Sequence, residues 1–240
     1  MADEVQALTK AFSGLGGLGV DEPTMVAALA NWRKRPEKRS GFRKSFPGLF
    51  KEHGVIERCE DEYMLHLAAE FSRFKNLMVL WAMHPWERDA RLAHHVLHQA
   101  HPSAIVVEVA CTRSAEELLG ARKAYMALFH HSLEEDVAYR AKDKPYCSDL
   151  GSEEALREAV QCLATPERYF SQVMAAALRE GADHHGKEAL ARVAVTRSDV
   201  DMDGIRAAYQ EQFGAKLEDA VAGSAHGHFK DALVSLIVGK

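Results

Sequence analysis

The chain has 240 residues, of which 47% are hydrophobic and 27% are charged. These proportions describe an ordinary folded protein and exclude a disordered or fibrous chain. The formal net charge of −5 excludes the general basic excess with which proteins bind nucleic acid, so we expect no nucleic acid partner. An acidic protein can still bind an acidic membrane surface when a divalent cation bridges the two.

Helical periodicity runs through almost the whole chain. A glycine cluster at residues 14–19 ends the first predicted helix. Asp21 can cap the second helix, and Pro23 stands in its first turn. Further along, the apolar residues around Leu65 and those around Leu80 predict two separate helices.

Two prolines mark where new helical modules begin. Pro85 and Pro166 are predicted in first helical turns, where the N–H group that proline lacks would have no partner. We place module boundaries just before these prolines. The resulting modules are residues 1–83, 84–163 and 164–240.

One short segment is locally ambiguous. Ile105–Val109 is rich in β-branched residues, which suit a strand. Its counterpart in the last module, Leu190–Val195, is more mixed, and the sequence around both is helical. We therefore predict a helix here and about five short helices in each module.

Cysteine content and the N-terminal sequence bear on localisation. The four cysteines show no metal-binding spacing, and we expect them to be reduced. The N-terminal residues lack the basic and apolar regions of a secretory signal, and the sequence has no run of about 18 apolar residues. These features together predict a cytoplasmic protein.

The strongest signal in the chain is an internal repeat. Thr112–Val137 returns 84 positions later as Thr196–Val221, with 11 of 26 positions identical. An eroded copy comes earlier, because Arg43–Phe50 follows the pattern of Arg122–Phe129. Three spaced copies of a helical unit indicate a repeat architecture.

These motifs resemble the annexin family. The resemblance rests on four features of the sequence. They are the Thr-Arg-Ser turn at Thr112, the Arg-x-x-Tyr-x-x-x-Phe helix from Arg122, the Leu-Glu-Glu-Asp-Val run from Leu133, and the Phe-Lys pairs at Phe74 and Phe229. The resemblance implies an all-α fold, built as an annexin-like array of roughly five-helix repeats, with three repeats instead of four.

The middle module, residues 84–163, departs from a complete annexin repeat. It begins like a second repeat and ends like a third, which implies a hybrid formed when about one repeat was lost. The segment Leu80–Ala90 is similar to plant members in particular. Because the family packs four repeats in a closed disc, a three-repeat chain should expose apolar surface and could self-associate through it.

The loop Gly14–Gly19 carries the main site prediction. Its spacing matches G-x-G-x-x-G, but a dinucleotide site needs a preceding strand and a helix is predicted instead. The annexin resemblance implies that the backbone carbonyls of Leu15, Gly17 and Gly19 bind Ca²⁺. It also implies that Glu70 completes the site as a bidentate carboxylate. The alternative is a loop that ends a helix and binds no ion.

The other two modules carry weaker candidates. The equivalent loop of the middle module, residues 99–103, has no glycine, and we expect no ion there. In the last repeat, Gly181 and Asp183 are weaker metal candidates, because Ser224 stands where the family places the distal carboxylate. Calcium dependence should therefore rest mainly on the first repeat.

Five charged residues form a second predicted group. In annexins the matching positions line a polar axis through the disc, which has been linked to ion passage. We favour the alternative of a buried structural ion network, because lone buried charges are costly. The five residues are Asp89, Glu108, Arg113, Arg192 and Arg197.

Histidines are numerous, and three of them share a helical face. His94, His98 and His101 are spaced i, i+4, i+7, which can hold a transition metal. No acidic residue completes an H-E-x-x-H pattern. We therefore favour a solvated helix face without a metal.

The resemblance implies a peripheral protein that uses Ca²⁺ to bind anionic phospholipid membranes. It would move from the cytoplasm to the membrane when calcium rises. We expect no enzyme activity, because the sequence contains no catalytic triad order, nucleophile elbow or P-loop. The alternative function is a calcium-independent helical interaction or scaffold module that binds itself or a protein partner.

Overall fold

The computed structural model describes residues 2–13, 18–32, 34–46, 50–53, 56–98, 104–140, 142 and 152–239. These residues form 14 helices and one short two-stranded sheet. The predicted all-α repeat fold is confirmed, with the small sheet as an addition.

The elements are numbered in chain order. The first stretch contains α1 (Ala2–Ser13), α2 (Glu22–Trp32), α3 (Pro36–Ser45), β1 (Phe50–His53), β2 (Ile56–Cys59) and α4 (Asp61–Ala82). The middle stretch contains α5 (Pro85–His98), α6 (Ala104–Thr112), α7 (Ala115–Phe129), α8 (Leu133–Arg140) and α9 (Glu153–Ala164). The last stretch contains α10 (Pro166–Ala177), α11 (His184–Arg197), α12 (Met202–Phe213), α13 (Leu217–Ser224) and α14 (Gly227–Val238).

The described residues divide into two compact units. One unit combines the residues up to Met78 with those from Met174 onward, and the other runs from Val79 to Val173. In the first unit α2 packs against α14, so the beginning and the end of the chain share one body.

Each unit has an apolar core at the positions that helical periodicity predicts. Near the N-terminus, α1, α2 and α3 bury Leu8, Met25, Trp32 and Phe42 together. In the second unit α5 packs on α7, and Tyr125 is fully buried between them with small alanines of α5. Burial of these side chains away from water is the main stabilising contribution of each unit.

The hairpin β1–β2 was not predicted. Its strands pair antiparallel, with Phe50 opposite Cys59 and His53 opposite Ile56. It occupies the region where the first repeat has more residues than the other copies. The pairing is local, and the Phe50 ring lies 6.0 Å from the Phe42 ring, so the hairpin is anchored to the core of the unit. An insertion can therefore be absorbed there without disturbing the helices.

The prediction of two helices around Leu65 and Leu80 was wrong. A single 22-residue helix, α4, covers both segments. The sequence from Asp61 to Ala82 contains no glycine or proline that would end a helix. An ion pair between Glu70 and Arg73, three residues apart, also bridges the point where a break was expected.

The helix predicted at Ile105–Val109 is confirmed. It is part of α6, which packs against α9. Pro85 and Pro166 are the first residues of α5 and α10, as predicted. The β-branched side chains are accommodated because packing against neighbouring helices outweighs their weak local preference for a strand.

The repeated residues make the same contacts in both copies. Arg206 donates to Glu218 at 2.7 Å, joining α12 to α13. The equivalent residues of the preceding copy, Arg122 and Glu134, form the same ion pair between α7 and α8. The internal sequence identity therefore reflects a conserved set of contacts between successive helices.

Candidate calcium site

Two of the four predicted calcium ligands are described, and they meet. Gly19 has the left-handed backbone angle φ +85°, and its N–H donates to Glu70 Oε2 at 2.7 Å. Glu70 lies on α4 and is only 2% exposed. Leu15 and Gly17 lie outside the described residues. A carboxylate distant in sequence is thus placed directly against the glycine loop.

Glu70 is also held by an arginine that the sequence analysis did not identify. Arg73 Nε donates to Glu70 Oε2 at 2.7 Å, and Arg73 Nη2 donates to Oε1 at 2.8 Å. This is a bidentate, buried pair, so both carboxylate oxygens are engaged. The spacing of three residues on one helix was the only signal in the sequence for this contact.

The environment of Glu70 keeps it ionised. Burial by itself raises the pKa of Glu70, but hydrogen bonds from Arg73 and from the Gly19 N–H, with the nearby charge of Lys187, outweigh it and lower that pKa. An ionised carboxylate suits a hard cation such as Ca²⁺. The positive charges of Arg73 and Lys187, however, repel a metal cation that approaches Glu70.

The glycine loop is hydrogen-bonded to the segment Ser224–His226 in the last repeat. Leu18 N–H donates to Ser224 O at 2.6 Å, and His226 N–H donates to Leu18 O at 2.8 Å. Gly227, at φ +56°, allows the Glu22 side chain to lie against its backbone, since a Cβ at Gly227 would be 2.0 Å from Glu22 Oε2. The segment that was expected to carry the distal ligand of the last repeat therefore packs against the loop of the first.

The weaker candidates lie between α10 and α11. Gly181 has φ +79°, which suits a tight turn. Asp183 caps α11, because its Oδ1 accepts from Gly186 N–H at 2.7 Å. This carboxylate therefore has a structural role at a helix N-terminus, and an ion would have to compete for it.

Three of the predicted polar residues lie in the unit from Val79 to Val173. Asp89 and Arg113 form a bidentate buried pair, with Arg113 Nε donating at 2.7 Å and Nη2 at 3.0 Å. Glu108 is buried and accepts from Tyr169 OH at 3.1 Å. All three are engaged within the protein, as a structural ion network requires.

The other two polar residues lie in the first unit. Arg197 donates from Nε to Asp201 Oδ1 at 2.8 Å, one turn further along the chain. Arg192 is half-buried on α11, and its burial lowers its pKa to about 10. It therefore remains charged at neutral pH. The two groups of polar residues thus belong to different compact units.

The histidine pair of α5 has an acidic neighbour that was missed. His94 and His98 lie close to Asp136 of α8, whereas His101 lies outside the described residues. Asp136 lies on a different helix from the two histidines. No local pattern in the sequence links the two.

Apolar side chains are exposed on α9. Leu156, Val160 and Leu163, at spacing i, i+4, i+7, are 65%, 55% and 68% exposed. Such a stripe on one helix face is normally covered in a folded protein. Within the described ranges, no helix combines the length and the apolar character needed to cross a bilayer.

The chain is similar to known annexins over nearly its full length. The annexin family model matches residues 172–236. The chain is 34% identical to annexin D4 of Arabidopsis thaliana, covering 98% of this chain and 97% of that protein. It is 27% identical to annexin Gh1 of Gossypium hirsutum, covering 98% and 95%.

Solved structures agree with these relatives at the level of the fold. Annexin III superposes with a TM-score of 0.60 at 16% identity, covering 98% of this chain and 93% of that structure. Calcium-bound annexin (Sm)1 superposes with a TM-score of 0.59 at 14% identity, covering 98% and 89%. Taken with the repeat, the helical fold and the plant relatives, these similarities show that this chain belongs to the annexin family.

Proposed function

We propose that this annexin binds anionic phospholipid membranes through a calcium site in its first repeat. Annexins in general are peripheral proteins that bind such membranes in a calcium-dependent manner. For this chain the proposal rests on one observation, which is the contact between the left-handed Gly19 and the buried, ionised Glu70. The protein would reach the membrane when calcium rises.

Arg73 competes with calcium for the carboxylate of Glu70. The Arg73 guanidinium is bound by both oxygens of Glu70. It therefore fills the position that a calcium ion would take if Glu70 bound it with both oxygens. Calcium must therefore displace Arg73 and overcome its charge. With one carboxylate in the site, calcium affinity should be weak, about 10⁻⁴ M or weaker, as in extracellular calcium modules. Lipid headgroups supply further oxygen ligands, so ion and membrane bind cooperatively.

The test is co-sedimentation with phosphatidylserine vesicles, in millimolar calcium and in chelator. We expect the wild type to sediment only with calcium and Glu70→Gln to lose that response. Glu116→Gln is the matched control, because Glu116 is an exposed carboxylate on α7. Circular dichroism in chelator establishes that each variant is folded. Calcium-dependent sedimentation that Glu70→Gln leaves unchanged would contradict the proposal.

A second candidate is a calcium-independent interaction module that associates with another copy of this chain. The apolar stripe of α9 is the observation that favours it. Sedimentation-velocity measurements in chelator test this function, with wild type compared with Leu156→Glu and Leu163→Glu. A concentration-dependent dimer that both changes abolish would support it, and a monomer at every concentration would exclude it.

A further inference from the structure

A cluster of metal-binding side chains lies apart from the calcium site, in the unit from Val79 to Val173. His94 and His98 of α5 and Asp136 of α8 each offer a ligand atom, and these atoms lie within 4.8 Å of one another. The donors are two imidazoles and one carboxylate. This set is typical of Zn²⁺ and other transition-metal dications, whereas Ca²⁺ prefers oxygen donors alone.

The two histidines are arranged so that one ring nitrogen of His98 is available. His98 Nδ1 lies 2.8 Å from the backbone carbonyl of His94. A carbonyl accepts hydrogen bonds, so Nδ1 must carry the proton and Nε2 its lone pair. Nε2 is also the nitrogen that faces Asp136, at 4.0 Å from Oδ2. Metal-binding histidines commonly donate their second nitrogen to a carbonyl in this way.

The His94 ring is fixed by stacking on both sides. It stacks on the Phe129 ring with centroids 3.7 Å apart and on the His98 ring with centroids 4.0 Å apart. These two contacts hold the imidazole of His94 in one orientation within the cluster.

Asp136 is positioned by two further side chains. The His131 Nε2 atom lies 2.8 Å from Asp136 Oδ2, and Tyr125 OH donates to the same oxygen. Tyr125 is fully buried, so it ties the carboxylate to the core of the unit. Such outer contacts orient a metal-binding carboxylate and hold it ready.

We propose that His94, His98 and Asp136 form a binding site for a transition-metal dication such as Zn²⁺. A tetrahedral zinc site places its ligand atoms about 3.3 Å apart, so no pair of ligand atoms needs to move closer by more than roughly 1.5 Å. His98 is half-exposed and can turn inward without disturbing the core. Three protein ligands would leave one position for water, which is the arrangement of an open zinc site.

The experiment measures zinc affinity of the full chain by competition with a chromogenic zinc chelator, in the absence of calcium. We compare wild type with His98→Gln, which removes one ligand at a half-exposed position. His95→Gln is the matched control, because it removes the neighbouring exposed histidine of α5. We expect His98→Gln to weaken zinc binding at least about tenfold and His95→Gln to leave it unchanged within about twofold.

Cobalt substitution supplies an independent readout of geometry. Co²⁺ bound tetrahedrally absorbs much more strongly in the visible region than octahedral Co²⁺. We expect this absorption in the wild type and its loss in Asp136→Asn, with circular dichroism showing that the variant is folded. Equal zinc affinity of wild type and His98→Gln would overturn the proposal, and so would an equal loss in the His95→Gln control.

Discussion

Single residues decide whether the proposed calcium site can bind an ion, and Arg73 is the most informative of them. It satisfies Glu70 in the absence of an ion, so it stabilises the empty site while competing with calcium. We expect Arg73→Gln to lower the free energy of unfolding in chelator by roughly 3–5 kcal/mol, because Glu70 loses its buried partner. We also expect the variant to need less calcium for vesicle binding than wild type.

Both effects of Arg73→Gln are measurable with the same samples. Thermal unfolding in chelator and in calcium gives the stability, and the calcium midpoint of vesicle sedimentation gives the affinity. Calcium should restore part of the lost stability, because it replaces the guanidinium beside Glu70. An unchanged or raised calcium midpoint would show that Arg73 does not compete with the ion.

The ionisation of Glu70 should be visible as a pH dependence of stability. Its pKa is lower in the folded protein than the ordinary value of 4.5. Its contribution is therefore complete above about pH 4.5 and is lost as the pH falls through the folded pKa. We expect the difference in unfolding free energy between wild type and Glu70→Gln to shrink over that range. A difference that stays constant with pH, measured by urea unfolding, would refute this.

His130 offers a matched test between the two repeat copies. It ends α7 in the left-handed region at φ 63°, where the next copy has Gly214 at φ 70°. A side chain at this angle is strained, whereas glycine adopts it freely. We expect His130→Gly to stabilise the protein by about 1 kcal/mol and Gly214→Ala to destabilise it by a similar amount. Urea unfolding measures both.

At the scale of elements, the packing of α5 on α7 depends on the close contact between the Trp86 ring of α5 and the backbone of Gly120 in α7. A Cβ at Gly120 would lie 2.2 Å from the Trp86 ring. We expect Gly120→Ala to destabilise the protein by about 1–3 kcal/mol, because the half-buried Trp86 ring must shift. Gly41→Ala is the control, since its Cβ would meet nothing within 4 Å and alanine is the better helix former. Equal effects of the two changes on urea unfolding would contradict this account.

Elements also show where sequence reasoning succeeds. Helix starts at Pro85 and Pro166 were predictable because a proline at a first turn is a local signal. The continuity of α4 was not predicted, because the apolar residues around Leu65 and those around Leu80 were assigned to two separate helices. The ion pair between Glu70 and Arg73 favours an unbroken helix. The hairpin that begins at Phe50 was missed because its anchor, the Phe42 ring, is a tertiary contact.

At the scale of the whole molecule, we propose that the chain carries three repeats, with residues 84–163 as a hybrid. The alignment to annexin D4 spans 312 positions and covers nearly all of both proteins, although this chain has 240 residues. In total, about 70 or more positions of that alignment therefore have no residue of this chain, which is close to the length of one repeat. The exposed apolar stripe of α9 fits the loss of a neighbour that once covered it.

The two compact units should respond to different metals. The proposed calcium site lies in the unit that joins both ends of the chain, and the histidine cluster lies in the unit from Val79 to Val173. A bound ion protects the unit that contains it from local opening. We expect calcium to slow hydrogen exchange in α4 up to Met78 and in α14, and zinc to slow it in α5 and α8. Mass spectrometry of each state measures this, and identical protection patterns for both ions would contradict it.

The sequence by itself determined the helical class, the repeat and the family, because these are written in local periodicity and in residues that recur with the same spacing. Recurrence implies recurring contacts, and Arg206 with Glu218 makes the same ion pair as its copy. Only the tertiary structure decided that Arg73 binds Glu70, the proposed calcium ligand, and that Asp136 lies beside the histidines of α5. Those relations depend on which side chains face each other in space, and no spacing along the chain specifies that.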